Sequence, residues 1–129
     1  MKTKKPKKTK ISRKVNSGRV YIKASFNNTM VTVTDENGQV LVWGSSGRSG
    51  FKGTRKSTPY AATTAVETAL RRSREEFGLT EVGVYIKGPG SGRDAALRAI
   101  RSAGLQMNLI ADVTPIPFNG PKAKKKRRV

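Results

Sequence analysis

The sequence contains no cysteine, which excludes disulfides and thiolate metal ligands. It contains no histidine either, so the commonest general base and metal ligand is missing. Acids are scarce: 8 Asp+Glu stand against 27 Lys+Arg, a formal net charge of +19 at pH 7. They are also scattered. Asp35 and Glu36 fall in a turn, Asp112 stands alone, and the first strand, Gly18–Ala24, has none, whereas a two-metal nuclease needs carboxylates gathered at strand ends. The chain is therefore expected not to be an enzyme and to carry no cofactor or metal. Aromatics make up only 6% of the residues, and the aromatic signature of an RNA-recognition motif is absent. No apolar run approaches the roughly 20 residues of a membrane span. The basic start has no apolar segment behind it, so no secretory signal is expected.

What the sequence has in excess is positive charge, unevenly placed. Its 129 residues are one domain's worth of chain. Residues 1–14 hold eight bases and no acid, and residues 121–129 hold six bases and no acid, which leaves +5 for residues 15–120. The expected organisation is a basic N-terminal arm (1–14), one α/β domain (15–120) and a basic C-terminal tail (121–129). A compact chain at this charge repels itself without a polyanionic partner. The arm, Lys-rich and broken by Pro6, cannot bury enough to offset its ordering entropy. It is read as a segment that orders on nucleic acid.

Periodicity gives the elements of the middle. Val20, Ile22, Ala24 and Phe26 alternate with Tyr21, Lys23 and Ser25, which predicts a strand from Gly18. Asn27-Asn28 is turn chemistry, and Met30–Thr34 is a second, β-branched strand. Asp35-Glu36-Asn37-Gly38 predicts a hairpin with a type I′ turn, followed by a third strand, Val40–Trp43. Ser57 or Thr58 can cap a helix with Pro59 in its first turn. Ala62, Ala65, Val66, Ala69, Leu70, Ser73 and Phe77 form its apolar stripe, and Gly78 its stop. Glu81–Lys87 is a fourth strand, Arg93–Ala103 a second helix, and Gln106–Val113 a fifth strand. The order β-β-β-α-β-α-β predicts a mixed five-stranded sheet whose last two crossovers are parallel and right-handed.

Two segments carry chemistry. Residues 44–58 (GSSGRSGFKGTRKST) interrupt every periodic pattern and hold Arg48, Lys52, Arg55 and Lys56 with no acid. Glycines let a backbone approach a phosphate chain, arginine supplies forked contacts and lysine a mobile charge. Phe51 in this loop could stack on a base, but is read as an anchor of the loop to the core. The second segment, Gly88-Pro89-Gly90-Ser91-Gly92, lies between a strand and a helix start, where unpaired N–H groups and the helix dipole can bind an anion. A tight structural turn is the equal alternative. A dinucleotide fingerprint is disfavoured, because the spacing is G-x-G-x-G and the chain lacks the rest of a nucleotide-binding sheet. Trp43 and Tyr85 are read as structural. Asn119-Gly120 places an unhindered backbone nitrogen next to a side-chain amide, the arrangement that cyclises to succinimide and opens to isoaspartate.

The stretches ASFNNT (24–29), SGFKGTRKSTP (49–59), KGPG (87–90), Gly92-Arg93, DVTPIP (112–117), Asn119-Gly120 and the closing KKRRV resemble one family, the eleventh protein of the small ribosomal subunit in its bacterial or organellar form. The resemblance covers about residues 15–129. It implies a ribonuclease-H-like three-layer sandwich without catalysis, a place on the platform of the small subunit, and bridging of several rRNA helices near the messenger exit cleft. It further implies the seventh and eighteenth small-subunit proteins as neighbours, and isoaspartate at Asn119. The chain departs from bacterial relatives at Phe118, commonly His, and at Pro121-Lys122-Ala123, commonly Cys-Arg-Pro.

The expected RNA-contacting residues follow. They are Lys4, Lys5, Lys7, Lys8, Lys10, Arg13 and Lys14 in the arm; Asn27 and Asn28; Ser46, Arg48, Ser49, Lys52, Gly53, Arg55 and Lys56; Lys87, Gly88, Gly90, Gly92 and Arg93; and Asn119, Lys122, Lys124, Lys125, Lys126, Arg127 and Arg128. The expected location is the ribosome, in cytoplasm or in an organelle's stroma or matrix, with no membrane partner and no homo-oligomer. A free-standing basic packaging protein is the alternative, and a small nucleotide-binding enzyme a distant third.

Overall fold

A computed structural model describes residues 14–128 of the chain. In β1 (Ser17–Ala24) the side chains of Val20, Ile22 and Ala24 are buried, while Tyr21 and Lys23 point to the other face. The same alternation runs through β2 (Thr29–Asp35) at Val31 and Val33, and through β4 (Glu81–Lys87) at Val82, Val84 and Ile86. With β3 (Val40–Ser45) and β5 (Gln106–Asp112) these strands form one sheet in the order β3-β2-β1-β4-β5. The β1–β2 and β2–β3 pairs are antiparallel, whereas β1–β4 and β4–β5 are parallel.

Helix α1 (Pro59–Phe77) begins where Thr58 Oγ1 accepts the Ala61 N–H at 3.3 Å. It ends at Gly78, whose positive φ of 70° suits a left-handed stop. The predicted stripe is buried along its whole length. Its small residues bring the helix close to the sheet, where Gly44 of β3 faces Ala65 and Ala69. Helix α2 (Gly92–Ser102) adds Ala96, Ala99 and Ile100 to the same core as Val20, Val84, Val66 and Leu70. Each fully buried Val, Leu or Ile contributes about 1.5–3 kcal/mol.

The mixed five-stranded α/β sheet and its element order are as the sequence predicts. The layering differs. Both crossovers, β3-α1-β4 and β4-α2-β5, advance in the same direction across the sheet, so crossovers of one hand place both helices on one face. α1 and α2 pack on each other there. Among the described residues the layers number two rather than three. The other face carries Tyr21 stacked on Tyr85, with ring centroids 5.2 Å apart, and Trp43, which is 50% exposed.

Three local readings are also revised. The hairpin after β2 is not type I′, because Gly38 alone in it has positive φ. Asp35 N–H donates to Gln39 O at 3.0 Å and Asp35 Oδ1 accepts the Gln39 N–H at 2.8 Å, so the turn is closed by the aspartate with Gly38 in the left-handed position. β1 stops at Ala24, and Phe26 stands 75% exposed in the following turn. Within the supposedly irregular segment 44–58, Gly44 and Ser45 complete β3 and Gly53–Ser57 form a 3-10 helix.

Candidate nucleic-acid interface

Three parallel-running strands, β1, β4 and β5, end on one side of the sheet, and β3 runs the same way because it is antiparallel to β2. Their following segments, 25–28, 46–58, 88–91 and 113–128, therefore emerge together at the carboxyl ends of the strands. Ligand sites of open α/β sheets gather at this position.

Hydrogen bonds fasten the segments to one another. Gly90 N–H donates to Ala24 O at 2.9 Å. Ser91 Oγ donates to Ser57 O at 2.7 Å, which ties the glycine loop to the 3-10 helix. Ser46 N–H donates to Thr29 O at 3.0 Å, which ties the start of the long loop to β2. Arg93 donates to Gly88 O at 2.8 Å and to Asp112 Oδ2 at 2.7 Å, joining α2, the glycine loop and β5. Thr114 Oγ1 completes the clasp: it donates to Asp112 Oδ1 at 2.5 Å and accepts the Gly88 N–H at 3.2 Å. These bonds hold the Asp112 carboxyl well below the usual carboxylate range, the Thr114 hydroxyl contributing most and Arg93 next.

Cations cluster at this end. Lys52 and Arg55 are exposed and Lys56 half-buried on the long loop, and Lys87 is exposed at the end of β4. Arg48 lies over the Trp43 ring, 4.3 Å from its centroid, and donates to Trp43 O at 3.1 Å. A guanidinium has five N–H donors, so this bond leaves it capacity for phosphate. Ser49 is held by its hydroxyl on Ser45 O at 3.0 Å. Asn28 Oδ1 accepts the Thr29 N–H at 2.9 Å, and Ser25 closes the turn onto Asn28 O, presenting an exposed Asn27. Beyond Asp112 the chain is exposed through Lys122, Lys124, Lys125, Lys126, Arg127 and Arg128 without helix or strand.

The acids lie mostly elsewhere. Asp35, Glu36 and Glu81 sit at the opposite end of the sheet, and Glu67, Glu75 and Glu76 on the middle and last turns of α1. Only Asp94 and Asp112 share the cationic end, and Asp112 is paired with Arg93. A polyanion therefore meets one surface of nearly uniform sign. Among the described residues no cluster of acids could hold a metal ion.

The structure separates the expected contact residues. Lys4, Lys5, Lys7, Lys8, Lys10 and Arg13 lie outside the described residues. Ser46 is fully buried and its hydroxyl has no partner among the described residues, so it does not reach a ligand. The glycine loop is a structural turn: its Gly88 and Gly90 N–H groups are spent on Thr114 and Ala24. A Cβ at Gly88 or Gly90 would collide with the Ala24 or Ser25 backbone, and one at Gly92 with Thr29 and Ala62. Arg93 is a clamp before it is a ligand donor. Phe51 packs edge-on against Tyr60, ring centroids 5.8 Å apart, but Tyr60 is itself 71% exposed and neither ring belongs to the buried core, so Phe51 ties the loop to the first turn of α1 and not to the core as expected. Sequence reasoning missed Phe26, an exposed ring at the same end. The adjacent Ser-Phe-Asn-Asn turn chemistry was the available signal.

A family model described as Ribosomal protein S11 matches residues 18–128 of the chain. Curated relatives include the Small ribosomal subunit protein uS11 of Borreliella burgdorferi (strain ZS7), 56% identical over 122 residues that cover 95% of this chain and 93% of the relative. The protein of the same name from Desulfovibrio desulfuricans (strain ATCC 27774 / DSM 6949 / MB) is 54% identical over 126 residues, covering 98% of this chain and 97% of the relative.

Two outcomes are expected from this geometry. Gly90→Ala forces a methyl group into backbone and costs about 1–3 kcal/mol, whereas Gly47→Ala, whose Cβ would meet only ordinary contacts, stays within about 0.5 kcal/mol of the parent. Urea unfolding midpoints compare them. Asp112→Asn removes a carboxyl whose folded-state pKa is depressed. The stability that carboxyl contributes is complete above its unfolded value, about 3.9, and declines as pH falls below it. The parent is therefore more stable than the variant at pH 7, and the gap begins to narrow below about pH 4, shrinking steadily as pH falls toward the depressed folded-state value. Parallel urea titrations across pH read the convergence.

Proposed function

The chain belongs to the ribosomal protein S11 family and is a structural constituent of the small ribosomal subunit, not an enzyme; from that premise we propose that it bridges helices of the small-subunit rRNA on the platform, beside the messenger exit cleft. The observation that carries the proposal is the gathering of Arg48, Lys52, Arg55, Lys56, Lys87 and the root of the basic tail at the carboxyl ends of the strands, with six of the eight acids placed away from it.

Phosphates of one helix fit the 48–56 loop, where exposed cations stand on a backbone fixed by Ser45, Thr54 and Arg55 carbonyls. The tail, cationic from Lys122 to Arg128, extends from the same end and reaches a second helix. The arm, whose charge is of the same kind, supplies a third contact. The loop and the tail leave one end of the sheet and the arm joins the other, where β1 begins, so one rigid body with cationic extensions at both ends holds RNA helices at fixed separation. Such contacts position rather than read bases. Specificity then comes from the fold of the RNA, with Phe26 and Asn27 available to an unstacked base. The seventh and eighteenth small-subunit proteins are its proposed neighbours, with messenger RNA close by, in the cytoplasm of a bacterium. This assignment rests on the family resemblance and on the bacterial origin of the relatives.

Replacing Arg48, Lys52, Arg55 and Lys56 together by Gln should leave the fold intact and flatten the log affinity–log salt slope by about 3, each lost phosphate contact removing about 0.7–0.9. An unchanged slope would remove this loop from the RNA surface. For the intact protein, a folded multi-helix rRNA fragment should outcompete random duplex at equal salt; equal competition would indicate a packaging protein instead. Asn119, exposed and at a positive φ of 60° before Gly120, is proposed to convert to isoaspartate. Peptide mapping of assembled subunits should find isoaspartate there, and only Asn or Asp would refute it.

A further inference from the structure

Strand β5 closes the sheet on one side, and its residues behave unlike those of the other strands. On β4 alternate residues are buried, but on β5 both faces are open: the consecutive Leu109 and Ile110 are 47% and 54% exposed. Val113 and Ile116 continue the apolar run, at 45% and 81% exposed. An edge strand presents unpaired backbone groups, and proteins normally blunt such edges with lysine, proline or a bulge. Residues 106–112 contain no lysine and no proline. The single register shift, which leaves Asn108 unpaired, precedes the exposed pair. Val113 N–H points inward to Ile86 O at 2.8 Å, so strand alternation turns the N–H and C=O groups of Ile110 and Asp112 outward.

Composition identifies the occupant. In a chain with 27 Lys+Arg, none lies between Arg101 and Lys122. A phosphate backbone finds no counter-charge along this edge. A second copy at +19 is repelled by the first. The opposite edge, β3, carries Trp43 under Arg48 and leads directly into the cationic loop.

We propose that β5 is the docking edge for an extended, apolar segment of a neighbouring small-subunit protein, which adds as a sixth strand along Leu109–Asp112. The partner's backbone pairs with Ile110 and Asp112 while its side chains cover Leu109 and Ile110, the mode of strand addition in which main-chain bonds supply affinity. The proposal rests on membership of the small subunit and not on which rRNA helices the cationic end meets.

The test uses assembled small subunits containing the full chain with the photo-crosslinker benzoylphenylalanine in place of Ile110, together with amide exchange on the unmodified protein. The expected result is an adduct to a peptide of another small-subunit protein, with Ile110 and Asp112 amides exchanging at least about tenfold more slowly in the subunit than in the free chain. An adduct to rRNA, to a second copy or to this chain's own residues overturns the proposal, as does unchanged exchange. Ile110→Pro removes an outward N–H but no bond to β4. Subunits carrying it should lose the crosslinked neighbour several-fold relative to Ile110→Thr; equal occupancy counts against strand addition. The salt slope of the Pro variant on rRNA is read in parallel, so that a failure of RNA binding is distinguished from a failure of this edge.

Discussion

The close approach of the glycine loop to the end of β1 is the constraint on which the cationic end depends. Gly90 donates its N–H to Ala24 O across a gap that admits no Cβ, and Gly92 seats the start of α2 against Thr29 and Ala62. With those contacts made, Ser91 reaches Ser57, and the long loop is fixed to the same frame. A larger side chain at Gly90 would push the α2 start away from β1, and the loops would no longer share one surface. The glycines therefore act through the fold: Gly88 and Gly90 spend their N–H groups within the protein, and the close approach they allow sets where the lysines and arginines stand.

Parallel topology does the rest. Because β1, β3, β4 and β5 run together, each delivers its next segment to one end, and a basic residue placed after any of these strands joins the same surface. The acids follow the opposite rule, collecting in the β2–β3 turn, at the start of β4 and on the later turns of α1. The Arg93–Asp112 pair, 2.7 Å apart, cancels one of the two acids at the cationic end. In an exposed pair of this kind the direct gain in stability is small, and its larger effect is to fix the exit direction of the tail at Thr114.

Much of this was legible in the sequence, because strands and helices here are dictated by local pattern. The stripe from Ala62 to Phe77 and the alternation in β1 and β4 specify their own burial. What local pattern does not contain is which backbone lies opposite. The glycine loop could be a phosphate cradle or a turn until Ala24, over sixty residues upstream, was placed against it. Ser46 looked like one more hydroxyl on a polar loop, but its pairing with Thr29 O draws it fully inside. Phe26 continued an alternation that the Ser25–Asn28 bonds cut short. The layer count turned on the direction of the two crossovers, a property of strand order and not of any segment.

The separation of charge within the folded body has a consequence for how the protein finds its place. Within residues 15–120 the acids of one pole are offset by Arg19, Arg71, Arg72, Arg74, Arg98 and Arg101, whereas the carboxyl-end pole keeps an excess of positive charge, so the folded body carries an electric dipole along the strand direction in addition to its net charge. In the field of a polyanion such a body turns during approach, so diffusional encounters are biased toward the carboxyl ends of the strands before any contact forms. Orientation is thus selected at long range, and the short-range bonds need only hold a posture already adopted.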